Sequence, residues 1–145
     1  MDDLSQILEE FGRLKDACTK LSKKKIVVGI IAGEKSEVMA IAHAHEYGVP
    51  GKLPERSFIR ASFDKDKDKL ADIVTGQVDK VLAGQRSPEA AAAAIGAQAA
   101  QLVQNFIDDN RVTPPSDFSK KTQKTTLYET GTHIRDRITF DVEEK

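Results

Sequence analysis

His43-Ala44-His45-Glu46 is the densest group of metal-binding side-chain types in this 145-residue chain. Imidazoles are good zinc ligands, and alternate residues of a strand share one face. A strand here would present His43 and His45 together. No third ligand stands nearby, because the remaining histidine is His133 and the sole cysteine is Cys18. The pattern therefore predicts ordinary strand histidines and no metal, catalytic or cofactor-binding residues. A small metal-dependent enzyme using His43 and His45 is the alternative. Cys18 lies on an apolar helical stripe and reads as a small buried hydrophobe, not a nucleophile. No phosphate-binding glycine loop, H-E-x-x-H or G-x-S-x-G string occurs. The alternating Asp64 to Lys69 lacks the glycine and terminal glutamate of a calcium loop, so it reads as a solvated helix start.

A second group is suited to recognition. Arg56 and Arg60 flank Phe58 and Ile59, and their guanidinium forks suit a partner's carboxylates. Alternatively Arg56 pairs internally with Glu46 or Glu55 and closes the loop. Tyr47-Gly48 ends an element at a turn where glycine permits unusual backbone angles, and Pro54 stiffens the return after Leu53. Thr130-Gly131 reads as a turn into a last strand. Lys23 to Lys25 and Lys120, Lys121 and Lys124 would serve a nucleic-acid-binding module. A balance of 22 basic against 23 acidic residues gives no global field to draw nucleic acid, so that reading is disfavoured.

These residues need a scaffold, and 145 residues suffice for one domain, residues 1–145, with its own core. Leu4, Ile7, Leu8, Phe11, Leu14, Cys18 and Leu21 step by three and four and predict an amphipathic helix over 2–22. Its seven-residue register also suits a helix of another subunit, with packing on its own core the preferred use. Ile26 to Ile31 has the composition of a strand covered on both faces. Gly33 to Ser36 reads as a hairpin loop, and Val38 to Tyr47 as its second strand, with a helix from 38 to 46 as the competing reading. Asp64 caps a helix through Leu82, ended by Gly84. Ser87-Pro88-Glu89 starts another helix reaching about Asp108. Residues 109–132 form a long polar connector, and Ile138, Phe140 and Val142 alternate as a final strand. The expected fold is α+β: a small, mostly antiparallel sheet with strands near 25–32, 37–47 and 137–143. An N-terminal helix and two central helices, near 65–83 and 88–108, pack on it. The longest apolar run, Ile26 to Ala32, is far too short to span a membrane, and Asp2 and Asp3 stand where an export signal carries basic residues.

His45-Glu46-Tyr47-Gly48 followed by Leu53-Pro54-Glu55-Arg56-Ser57-Phe58-Ile59-Arg60 resembles the E-[FY]-G … [IL]-P-x-R-x-F-[IL]-R signature of the phage virion-morphogenesis and tail-completion families, which include minor tail proteins of the Z kind. Leu127-Tyr128-Glu129-Thr130-Gly131, then Ile134, Ile138-Thr139-Phe140 and Val142, is similar to the ending of the same families. The chain departs from that ending at Tyr128, Glu129 and Arg137, and no proline precedes Leu127. The resemblance implies a non-catalytic protein of a long-tailed phage or prophage. It would act in tail completion or head–tail joining, in the tail or neck of a virion assembled in the bacterial cytoplasm. Its implied partners are the tail tube or tail terminator and the head–tail connector proteins. The implied state is a homo-oligomeric ring, six-fold on assembly and monomeric when free. Tyr47, Gly48, Leu53, Pro54, Arg56, Phe58, Arg60, Thr130 and Gly131 are the candidate interface residues, within loop 48–62 and connector 109–132.

Overall fold

The computed structural model describes residues 3–30, 36–115 and 134–145. Within them lie α1 (Asp3–Ser22), β1 (Lys24–Gly29), α2 (Ser36–Tyr47), α3 (Ile59–Lys65), α4 (Lys67–Leu82), α5 (Pro88–Asp108), a 3-10 turn (Ile134–Arg137) and β2 (Thr139–Glu144). The fold is α+β, with five helices and one two-stranded antiparallel sheet among the described residues.

Helix α5 is the axis of the core. The Ser87 hydroxyl accepts the Ala90 N–H at 3.1 Å, and Pro88 occupies the first turn, where it forfeits no hydrogen bond. The small residues of its first half let neighbours approach closely. A methyl group on Gly96 would stand 2.3 Å from Cδ2 of Phe140, so the β2 ring rests directly on the α5 backbone. Lower down, Val103, Phe106 and Ile107 pack with Phe58, Val112, Ile134 and Ile138. Burying each large side chain contributes roughly 1.5–3 kcal/mol.

The sheet joins the two ends of the chain. Lys24 pairs with Glu144, Ile26 with Val142, Val28 with Phe140, and Gly29 with Thr139. The expected second strand over 37–47 is instead the helix α2. The alternation of apolar residues there was misleading, because Val38, Ala42 and Glu46 are buried at a spacing of four, the repeat of a helix face. Alanine, methionine and glutamate favour that outcome. With α2 in its place, no described element covers the second face of the sheet, where β1 was expected to be covered on both. Lys25, Thr139, Asp141 and Glu143 are exposed, while Phe140 and its neighbours meet α5.

The helix expected near 65–83 is α4, and a short helix not foreseen, α3, precedes it within the expected loop, the two being separated at Asp66. Asp64 does not cap α4, and Asp66 makes no side-chain cap bond either. Its carboxylate instead receives Arg111 Nη1 and Nη2 at 2.7 and 2.9 Å. The guanidinium of Arg111 also lies 4.8 Å from the centre of the Phe106 ring. Gly84 ends α4 with φ of 75°, and Arg13 of α1 donates to the Val81 and Leu82 carbonyls at 3.3 and 2.8 Å. A cation there satisfies the free carbonyls of a helix end and opposes its dipole.

Only the second half of α1 packs on its own domain, where Ala17 and Leu21 meet Val81 and Ala91. Leu4, Ile7, Leu8 and Phe11 remain 59–70% exposed. Cys18, expected to be buried, is exposed as well. The stripe is wider than the surface offered by α4 and α5, so core packing accounts for part of it only.

Candidate functional site

Helix α2 ends in a loop that folds back on it. Gly48 has φ of 74°, and a Cβ there would stand 2.8 Å from the Glu55 backbone nitrogen, so glycine is required both by angle and by space. Val49 and Leu53 exchange backbone hydrogen bonds at 2.8 and 2.9 Å, closing the turn around Pro50 and Gly51. The Arg56 N–H donates to the His45 carbonyl at 2.7 Å. The chain then enters α3 at Phe58, which is fully buried.

Glu46 holds this return in place. It is only 5% exposed. Oε2 accepts the N–H groups of Phe58 and Ile59 at 2.8 and 3.0 Å, and Oε1 accepts the Arg60 N–H at 2.9 Å and the Ser57 hydroxyl at 2.8 Å. The first N–H groups of a helix lack partners within it. Phe58, in the cap position of α3, offers no side-chain acceptor, and the carboxylate from α2 takes that place. Arg60 completes the arrangement, donating through Nε to Glu46 Oε1 at 3.0 Å and through Nη2 to the Glu46 carbonyl at 2.6 Å and Glu55 Oε1 at 2.8 Å. Burial pushes the Glu46 carboxyl up, but the N–H donors of Ile59, Arg60 and Phe58 and the Ser57 hydroxyl outweigh it and hold it below the usual carboxylate range.

The motif residues from Tyr47 to Arg60 thus form one clasp. Of the two readings of its arginines, the internal ion pair is realised, though by Arg60 with Glu46 and Glu55. Arg56 donates its Nε to the Pro114 carbonyl at 2.7 Å, tying the loop to the start of the connector. The exposed side of the clasp includes Tyr47, which is 54% exposed, with Pro54 and Glu55. The Tyr47 ring lies 4.3 Å beneath the Arg60 guanidinium carbon and 4.7 Å from the His43 ring. Beside it a cavity of about 210 Å³ is bordered by Met39, His43, Tyr47 and Ile59. Thr130 and Gly131 lie outside the described residues, as do the expected hairpin loop through Lys35, His133 and the second lysine cluster.

The premise of the histidine site does not survive the helix. Residues two apart on a helix point about 200° apart, so His43 and His45 share no face. Among the described residues no group of three His, Cys, Asp or Glu side chains stands in metal-binding proximity. In the first lysine cluster, Lys24 pairs with Glu144 and lies 4.0 Å from Glu89, and Lys25 lies 3.8 Å from Glu143.

Sequence reasoning offered Glu46 only as an ion-pair partner of Arg56, not as the cap of α3, and missed Asp66. A signal for Glu46 existed: it stands in the string Glu46-Tyr47-Gly48, and Arg60 is the last residue of the second string. Nothing local marks Asp66, whose partner Arg111 is distant in sequence. No helix of the described residues is long and apolar enough to cross a membrane. Compared with known protein families, curated proteins and solved structures, the chain matches none.

Proposed function

We propose that this chain is a non-catalytic virion assembly protein of a long-tailed phage or prophage, acting in tail completion or head–tail joining. The observation that carries the reading is the clasp. The residues that resemble the tail-completion signature, from Glu46 to Arg60, fold as one braced unit and lift Tyr47 and Pro54 onto the surface. A rigid loop loses little freedom on docking, which suits a contact repeated around a ring. Head-to-tail repetition of one contact closes such a ring when the rotation matches the symmetry of the tail. The partners in this reading are the tail tube or terminator and the connector proteins, and the site of action is the tail or neck.

The test is complementation. In a phage lacking the chain, the intact protein supplied in trans restores joined particles, whereas a folded Tyr47→Ser, Pro54→Ser double variant does not. Full restoration by the double variant removes the clasp surface as the contact.

A further inference from the structure

The two halves of α1 are held differently, and Gly12 stands at their boundary. From Arg13 onward the helix is anchored: Arg13 donates to the Val81 and Leu82 carbonyls at the end of α4, and Ala17 and Leu21 pack on Val81 and Ala91. Among the described residues before Gly12 none is buried, and Leu4, Ile7, Leu8 and Phe11 are 59–70% exposed.

Neither angle nor space requires glycine at this position. Gly12 is not among the glycines with positive φ, and a Cβ there would meet nothing within 4 Å. In mid-helix its physical effect is to weaken the helix, lowering the helical equilibrium about fivefold relative to alanine. Gly76 in α4 is equally unconstrained. That helix, however, is held on both sides of its glycine, by half-buried Leu70 and Ile73 before and buried Gln77 and Val81 after. One contact spans Gly12: Arg13 Nε donates to Glu10 Oε2 at 3.0 Å. An exposed pair three residues apart favours a helix about twofold, less than glycine takes away. Residues 3–11 are also fewer than the roughly 12–15 that hold a helix in water by themselves.

We infer that residues 3–11 are a hinged arm, which opens and recloses at Gly12 while the rest of α1 stays folded, with the Glu10 to Arg13 pair as its latch. The arm governs when the apolar strip exists, because Leu4, Ile7, Leu8 and Phe11 share a face only in the helical state.

Amide exchange of the full chain, followed residue by residue in dilute solution, tests this. The N–H groups of Leu8 and Phe11, bonded four residues back within the arm, are expected to exchange by local opening that low urea leaves unchanged. Those of Ala17 and Leu21 should exchange only through a larger unfolding that urea promotes. Gly12→Ala should slow exchange at Leu8 and Phe11 about fivefold and leave Ala17 and Leu21 as they were, while Glu10→Gln should speed exchange in the arm about twofold. Protection at Leu8 and Phe11 equal to that at Ala17, or arm exchange untouched by Gly12→Ala, would overturn the inference. So would a Gly12→Ala effect that reaches Ala17 and Leu21 equally, since α1 would then open as one piece. An arm indifferent to Glu10→Gln would strike the latch.

Discussion

Arg60 grips Glu46 twice, with Nε 3.0 Å from the carboxylate Oε1 and Nη2 2.6 Å from the carbonyl oxygen of the same residue. The side-chain contact secures the cap on α3, and the main-chain contact secures the end of α2. Two helices that share no turn are thereby locked at one corner.

Glu46→Ala strips the acceptor from three helix N–H groups and a hydroxyl in a buried setting. Leaving such donors unsatisfied costs roughly 2–4 kcal/mol. Glu46→Gln keeps the shape and one acceptor oxygen, and costs less. Urea unfolding of the three proteins measures the order; an alanine variant as stable as the parent would mean the cap bears no weight.

Acid should find the same corner. The folded Glu46 carboxyl titrates below its usual value of 4.5, its burial outweighed by the N–H groups and the Ser57 hydroxyl. A depressed carboxyl contributes stability that is fully present above the unfolded value and lost as pH falls through the folded one. Stability should therefore hold from neutrality to about pH 4.5 and decline below it, with a shallower decline in Glu46→Gln. Identical acid limbs for the two proteins would show that other carboxylates dominate.

The close seat of Phe140 on Gly96 yields a paired expectation. Gly96→Ala inserts a methyl group 2.3 Å from the ring, and such overpacking costs roughly 1–3 kcal/mol. Adding Phe140→Leu should recover part of that loss, so the two changes are non-additive in thermal unfolding. Strict additivity would mean that the ring moves aside without resistance.

Much of the scaffold is legible in the sequence because it is local. Ser87-Pro88 and the stripe behind it define α5, Gly84 ends α4, and the alternation of Ile138, Phe140 and Val142 gives β2. Residues 37–47 mislead because alanine and histidine satisfy both the two-residue and the four-residue repeat; burial of Val38, Ala42 and Glu46 decides between them. The site divides in the same way. Gly48, Pro54 and Phe58 are readable as turn and anchor, whereas the Arg60 to Glu46 bond and the Arg111 to Asp66 pair depend on packing between distant segments. The exposure of Leu4 to Phe11 was equally hidden, since a helical stripe states that a partner exists without saying whether it lies in the same chain.

Gly48→Ala combines a φ of 74° with a Cβ 2.8 Å from the Glu55 nitrogen. A strained left-handed residue costs about 1–3 kcal/mol, and the clash with backbone adds to it. The loop should open before the rest of the molecule, seen as faster amide exchange at Leu53 and Arg56, whose N–H groups are bonded within the clasp. Unaltered exchange at both would contradict the geometry.

The proposed role is the completion or joining of a phage tail. Electron microscopy of a lysate made without it is the most direct measurement. Separate filled heads and unattached tails, or tails of irregular length, are the expected result; joined particles of normal length and full infectivity would contradict it.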